Sequence, residues 1–575
     1  MIDEPIKMVV VSSASALLLF LFIIFYKKFF NKNISLLLLL LLISLLPLVS
    51  MLRSGTYESG DLSIHSSFAI AFYESLREGI FFPVWDKYML GGYGYPYFLF
   101  TYPLPYYLVS LLHSLGFTFI NAFKLLAAFS YILSGFAMYF LVKEETKEKI
   151  SGFIAAVFYL FAPYHLLDLH FRFAIGEVLS FLFLPLSFYF LKKVKLKESY
   201  KFFLFLSLSV VALIISHQAI SLIASLFLLL YAFYIYLSDK DFRSFFIRVS
   251  GVFTGIMLAS FYWIPVIVES GYTYLLDRQT YFYPFIYYIF SPSRYGLLYQ
   301  GNYGELYFPI GYIHLPILII TFFILLVPAL RAKFFKKESV LLFVLLISFF
   351  ITFFMMLAVS EPVWKSLPLI NGFLFTYRFS MFCAFFSSIV AGIVLAKIKK
   401  TNVVYTILAI TILITILNWG NRKVIPQIND EVLRQGLYKK SQPVGLGATI
   451  WSNVDKLQKR ESDIELLSGE AEISEISRSS INHQYLIDVN SSNAKFVENT
   501  IYFPGWKIKI NNKEEMINEN KLNDGLITFN LNKGLYYVVV ELGLTIYQIT
   551  GRLISLIFLV VLFIPLASLL RRKTN

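Results

Sequence analysis

Asp61 and His65 stand four residues apart in Gly60-Asp61-Leu62-Ser63-Ile64-His65, directly beyond a long apolar run. A carboxylate at the rim of a bilayer is expensive to desolvate and is usually kept for chemistry or transport. Within hydrogen-bond reach of a hydroxyl it can take the proton as that oxygen attacks. A spacing of four places both side chains on one face of an amphipathic helix expected over 61–79, which also carries Phe68 and Phe72. The competing reading is structural, because Gly-Asp ahead of such a run also suits a helix cap.

Four further places carry charge or imidazole where the chain is otherwise apolar. Arg172 and Glu177 lie in Leu169-His170-Phe171-Arg172-Phe173-Ala174-Ile175-Gly176-Glu177. The arginine could grip a phosphate at two points, or pair with the glutamate and tie two helices together. His217 sits in Ser216-His217-Gln218 at the top of a helical hairpin, as a ligand or as a turn residue. Glu269 closes the run Trp263–Val268, as a site carboxylate or a helix terminator. Arg378, in Phe375-Thr376-Tyr377-Arg378-Phe379, either reaches a lipid phosphate or snorkels to the interface.

The elements that must position these groups are membrane helices. The 575 residues are 58% hydrophobic and 15% charged, with mean hydropathy +0.68, a balance no soluble domain of this size carries. Thirteen apolar runs occur near 8–26, 34–52, 118–142, 150–165, 174–191, 202–216, 219–237, 246–268, 310–330, 339–359, 376–397, 403–419 and 547–570. The first lacks a basic leader and a cleavage site, so a retained helix is expected. The net charge of +14 comes largely from short loops such as Lys192-Lys193 and the tail Arg571-Arg572-Lys573. That distribution excludes a nucleic-acid surface and sets those loops inside the cell. All the site candidates, together with Glu58, Asp86, His113, His165, Asp168, His170, Arg294 and His314, then face the outer side or lie near its membrane edge, opposite the ATP supply. A reaction there needs a donor already activated and carried across in the membrane, hence a lipid-linked substrate.

Three outer segments follow, at 53–117, 269–309 and 420–546. The second is rich in Tyr and Phe, with Arg278, Arg294 and Glu305. The third alternates apolar and polar residues over 471–477, 484–490, 495–503, 507–510, 526–530 and 535–542. Turn signals at Pro504-Gly505, Asn523-Asp524-Gly525 and Asn532-Lys533-Gly534 separate them. An antiparallel β-sandwich is expected. There is no phosphate-binding or dinucleotide glycine loop, no nucleophile elbow and no His/Cys set of zinc spacing. The single cysteine, Cys383, allows no internal disulfide.

Asp61 and its helix, Phe82-Pro83-Val84-Trp85-Asp86, Gly91-Gly92, Tyr95-Pro96 and the Pro103 region resemble the first outer loop of YfhO-like membrane proteins, members of the GT-C glycosyltransferase superfamily. Tyr502-Phe503-Pro504-Gly505-Trp506-Lys507 and the Gly551 and Ser555 region resemble the C-terminal end of that family. The resemblance covers both ends, with Arg172, Gly176-Glu177 and Ser216-His217 between them. It implies a polytopic α-helical membrane protein, GT-C-like, of about thirteen spans. Residues 1–419 would form the transmembrane domain with outer loop 53–117, 420–546 an extracytoplasmic β-rich domain, and 547–575 the last helix and a basic cytoplasmic tail.

The implied activity is inverting transfer of a sugar from a polyprenyl-phosphate donor to a glycan, lipid or protein acceptor on the outer face. Asp61 matches the catalytic base. Glu58, His65, Arg172, Glu177, His217, Glu269 and Arg378 are the expected substrate-binding residues. Glu58-Ser59-Gly60-Asp61 departs from the closer-set acid pairs of better-known relatives, so no cofactor is required by the sequence and a divalent cation stays open. The rival readings are a transporter or flippase for a lipid-linked glycan, and a non-catalytic envelope assembly protein.

Overall fold

In the computed structural model the described residues are 4–57, 59–195, 199–274, 280–283, 285–289, 309–366, 375–420, 423–437, 449–453, 457, 460–519 and 522–573. Each of the thirteen apolar runs carries helix. Among the described residues eight helices are long and apolar enough to cross a membrane, and eleven if each of three bent pairs is one span. Two more runs form shorter apolar helices, Leu36–Leu52 and Tyr200–Ser216. The chain divides into two compact units, one of 1–63, 120–256 and 279–429, the other of 64–119, 257–278 and 430–575.

The first unit is a helical bundle. Lipid offers no hydrophobic drive between helices, so close contact depends on small residues. A side chain on Gly392 would lie 2.6 Å from the Ser151 carbonyl oxygen, and one on Gly152 2.6 Å from that of Tyr139. These glycines let the helix Lys149–Leu160 press against both Ser380–Leu395 and Phe119–Thr146. Charged helix ends are tied in pairs: Lys192 to Glu145 at 2.7 Å and Lys397 to Glu338 at 2.7 Å. Just after the second apolar helix a two-residue strand β1 (Thr56–Tyr57) pairs with β2 (Val424–Ile425).

The second unit is built on a six-stranded antiparallel sheet of β3 (Ile464–Ser468), β4 (Ala471–Arg478), β5 (Asn482–Ile501), β6 (Trp506–Ile510), β7 (Lys513–Glu515) and β8 (Leu526–Leu542). Its order is β3-β5-β8-β6-β7, with β4 also on β5. Two pairs of strands expected as separate are continuous. The polar stretches at 490–492 and at 533 lie opposite each other, and the ladder slips between Val489 and Asn493 while Val489 pairs with Gly534 and Asn493 with Asn532. The turn signal at Asn532-Lys533-Gly534 is therefore spent on a bulge, which bends both strands without reversing them. Strands β3 and β7 were not anticipated.

The aromatic turn at 86–95 packs on this sheet. Asp86 and Tyr95 exchange backbone hydrogen bonds at 2.8 and 3.0 Å. The reversal between them uses positive φ at Gly91, Gly92 and Gly94, which glycine adopts at little cost. Gly91 and Tyr93 carbonyls accept from the Arg460 and Ile501 amides, and Trp85 meets Trp506 edge-on at 5.2 Å.

Inside the sheet Glu498 Oε1 accepts from His483 Nδ1 at 2.7 Å, Arg478 at 2.8 Å and the Tyr485 hydroxyl at 3.0 Å. Burial alone would raise this carboxyl, but the neighbouring His483 and Arg478 outweigh it and hold it at about 2, against an ordinary 4.5. The folded value is the lower one, so the stabilisation is complete above about pH 4.5 and drains away as pH falls toward about 2. Thermal melts of the full chain on acidification should therefore fall through that window. The Glu498→Gln variant should melt lower at neutral pH and flatten the fall; parallel curves would remove Glu498 from the acid response.

The last helix, Ile546–Lys573, crosses Ser260–Glu269 at a glycine. A side chain on Gly551 would stand 2.5 Å from the Ser260 carbonyl oxygen. Ser555 Oγ accepts from the Phe261 amide at 2.9 Å, satisfying a donor exposed where the preceding helix breaks. Gly551→Ala should therefore cost about 1–3 kcal/mol, read as a lower melting temperature. An unchanged melt would mean that the crossing is looser.

Candidate functional site

Four chain segments bring charge together inside the first unit. The helix Lys149–Leu160 breaks at Phe161-Ala162, and Pro163–Arg172 continues at 50°. Its last turn, Leu167–Arg172, is wound as π-helix and ends on Phe173 in the left-handed region at φ 52°. Such widened turns are uncommon and gather at functional sites, and a bulky residue at positive φ is a strained one. The next helix begins at Ile175 and puts Glu177 in its first turn. His217 separates Ser199–Ser216 from Gln218–Asp239, and Arg378 lies in the turn Thr376–Phe379.

Glu177 is the hub. Its Oε1 takes Arg172 Nη2 at 2.9 Å and Arg378 Nε at 3.2 Å, with His217 Nε2 at 3.9 Å. Its Oε2 accepts from the Tyr164 hydroxyl at 2.6 Å. Arg172 Nη1 also donates to Asp168 at 2.5 Å and to Tyr164 at 3.0 Å, and its guanidinium lies 4.8 Å from the centre of the Tyr377 ring. His217 Nδ1 accepts from the Ile220 amide at 3.4 Å, which leaves the other ring nitrogen to face Glu177. Two guanidinium groups thus meet two carboxylates, a balance that buried charges need. Arg378 is the most open member, its side chain 18% exposed against 9% for Arg172 and 1% for Glu177.

Asp61 is fastened to this network by its backbone. Its amide donates to the Arg172 carbonyl at 2.9 Å and the Gly60 amide to that of Phe171 at 2.7 Å. A side chain on residue 60 would sit 2.9 Å from the Arg172 oxygen, so the approach depends on glycine. The helix starts at Leu62, one residue later than expected. Asp61 is thus in the turn ahead of the helix, not on its face beside His65. Nor does it cap: Ser59 Oγ accepts from the Leu62 amide at 3.2 Å. The half-buried Asp61 carboxylate makes no hydrogen bond or ion pair among the described residues.

The remaining candidates fall elsewhere. His65 belongs to the second unit, buried with Nδ1 2.8 Å from the Tyr106 hydroxyl oxygen. Glu269, in the same unit, accepts from the Thr545 hydroxyl and from Gln548 Nε2 at 3.1 Å, so it clamps the base of the last helix. Glu58, Arg278, Arg294 and Glu305 lie outside the described residues. Asp168 was expected among the polar residues of the outer face without a role of its own, and Tyr164 and Tyr377 were not singled out. The four-residue spacing of Asp168 and Arg172 was a readable sign of a helical ion pair; the tyrosines carried none. Among the described residues no three of His, Cys, Asp and Glu converge as metal ligands.

A family model described as "6-pyruvoyl-tetrahydropterin synthase related domain; membrane protein" matches residues 98–422. An uncharacterized protein of Lactococcus lactis subsp. cremoris (strain MG1363) is 24% identical over 240 residues, 40% of this chain and 39% of that one. Among solved structures, arabinofuranosyltransferase AftD from Mycobacteria aligns with a TM-score of 0.38 and 15% identity, over 71% of this chain and 27% of its own. The oligosaccharyltransferase AglB from Archaeoglobus fulgidus, with an inhibitory peptide and a dolichol-phosphate, gives 0.40 and 13%, over 74% and 57%. ArnT from Cupriavidus metallidurans, bound to undecaprenyl phosphate, gives 0.29 and 13%, over 62% and 76%. The chain thus spans about two fifths of its curated relative and about a quarter of AftD.

Proposed function

The chain belongs to the 6-pyruvoyl-tetrahydropterin synthase related membrane proteins, and from that premise we propose that it is a membrane glycosyltransferase of the GT-C kind. It takes a sugar from a polyprenyl-phosphate donor on the outer face of the cytoplasmic membrane. The acceptor is a hydroxyl or amide group of a glycan, lipid or protein. The resemblance of the first outer loop to YfhO-like proteins supports this reading. One observation carries it: the unpaired Asp61 carboxylate is pinned at the edge of the buried Arg172–Glu177–Arg378 network.

In the proposed reaction Asp61 accepts the proton of the attacking group as its oxygen or nitrogen bonds to the sugar's C1. The bond from C1 to the phosphate oxygen breaks on the opposite side, and the lipid phosphate leaves with the electron pair. Inversion follows from the single displacement, and one carboxylate suffices. The leaving phosphate needs positive charge more than a proton. Arg378, the more open arginine, supplies it, held in direction by Glu177, with Arg172 and His217 behind. Fixed charge aimed at a developing anion is usually the largest catalytic contribution.

A second reading has its own support. A span broken at 161–162 with buried charges at the break is also how transporters build substrate sites. Proteoliposomes loaded with labelled polyprenyl-phosphate sugars separate the two. Product carrying the label on an acceptor supports transfer, whereas donor moved between leaflets with the sugar still attached supports transport.

A further inference from the structure

The second unit carries an apolar protrusion that neither the proposed chemistry nor the sheet uses. The helix Leu62–Arg77 ends in a tight turn through Gly79, at φ 86°, and the chain then presents Phe81 and Phe82. The Phe81 ring is 75% exposed. The Tyr107 hydroxyl donates to the Phe81 carbonyl at 2.5 Å. Tyr107, Leu111 and Leu115 recur every four residues along the helix Leu104–Ser114 and its cap, so they form one stripe. Leu111 is 59% exposed and Leu115 70%. Large apolar side chains left open together mark an interaction surface.

The depth of the turn identifies what covers it. Phe82 packs edge-on against Phe261 at 5.8 Å, and the Arg552 guanidinium lies 4.5 Å from its ring centre. Arg552 is six residues into the last helix, which starts at Ile546, so the turn reaches about 9 Å along that helix at 1.5 Å per residue. Non-helical backbone at such depth must have its polar groups satisfied. Here the Gly79 and Ile80 amides donate to the Leu76 and Ser75 carbonyls at 3.0 Å each, and the Phe81 carbonyl accepts from Tyr107. Among the described residues this leaves the Phe81 and Phe82 amides to water or headgroups at the leaflet's edge. Arg552 makes no ion pair or hydrogen bond among the described residues. A long basic side chain at this level reaches the phosphate layer while its stem stays in apolar surroundings.

We infer that the 79–82 turn and the Tyr107–Leu111–Leu115 stripe are a foot sunk into the lipid leaflet where the last helix begins, with Arg552 on the lipid phosphates above it. The assignment is independent of the sugar-transfer reading. To test it, the full chain with Phe81→Cys, and separately Leu115→Cys, is labelled with an environment-sensitive fluorophore in proteoliposomes. The native Cys383 is buried, and unlabelled wild type gives the background. Both sites are exposed, so neither variant should disturb folding. The expected result is blue-shifted emission at both positions. Quenching by lipids with a nitroxide high on the acyl chain should exceed quenching by aqueous iodide several-fold. Strong iodide quenching with little lipid quenching would overturn the inference in favour of a solvent-exposed turn. Protection from both quenchers would overturn it in favour of a protein partner.

Discussion

Replacing Asp61 with asparagine should lower sugar transfer by about a hundred- to ten-thousand-fold, the usual contribution of a positioned general base. Donor affinity should hardly change. Asparagine keeps the size and the backbone contact of residue 61 with the Arg172 carbonyl, so the site should keep its shape and lose only its proton acceptor. The check is initial rate against donor concentration in proteoliposomes, alongside direct binding of a non-transferable donor analogue. A loss confined to the turnover number supports a base. A variant that instead binds the donor more weakly at unchanged turnover would make Asp61 a binding group, and equal rates would remove it from the mechanism.

The second large effect concerns folding. Glu177→Gln removes the carboxylate shared by Arg172, Arg378 and Tyr164. Among the described residues, the Arg172 and Arg378 guanidinium groups would then be left with Asp168 as the carboxylate of the network. Leaving a buried charge without its partner costs about 3–5 kcal/mol. The variant should melt far below wild type or fail to accumulate. Arg378→Gln is the comparison: Arg378 is partly exposed and Glu177 keeps Arg172, so the melt should shift little while transfer falls. Thermal melts of both variants in one lipid mixture decide this. If Glu177→Gln melts with wild type, the carboxylate is not the hub of the network.

The two results together test a division of labour that was only half legible in the sequence. Arg172, Glu177, His217 and Arg378 could be found one at a time, because ionisable groups in apolar runs are rare enough to stand out. The positive-inside pattern assigned them all to one face, and the first unit does bring these four together. That pattern fixes height along the membrane normal and says nothing about lateral position. This is why His65 and Glu269 shared the expectation yet belong to the other unit, His65 held by Tyr106 and Glu269 by the last helix.

Local geometry was harder to foresee than grouping. The widened turn at Leu167–Arg172 and the left-handed Phe173 have no sequence signature, since no glycine or asparagine marks the positive φ. They arise where the helix must stop short and aim Asp168 and Arg172 at the next helix. Asp61 was misplaced by a single residue for a related reason. Ser59 caps the helix, and the Gly60-Asp61 backbone is drawn onto the Phe171 and Arg172 carbonyls by hydrogen bonds that only the folded chain can show. In the sheet, Asn532-Lys533-Gly534 has the composition of a turn and becomes a bulge because the opposing strand is polar at the same level.

Sugar transfer itself is the central claim. Its most direct test is release of lipid phosphate coupled one-to-one to labelled acceptor, measured on purified wild-type chain in proteoliposomes across a panel of polyprenyl-phosphate sugars. Stoichiometric transfer with at least one donor, with inverted configuration at C1, is the expected result. Folded protein that binds such donors yet transfers sugar from none of them, or a product of retained configuration, would contradict it.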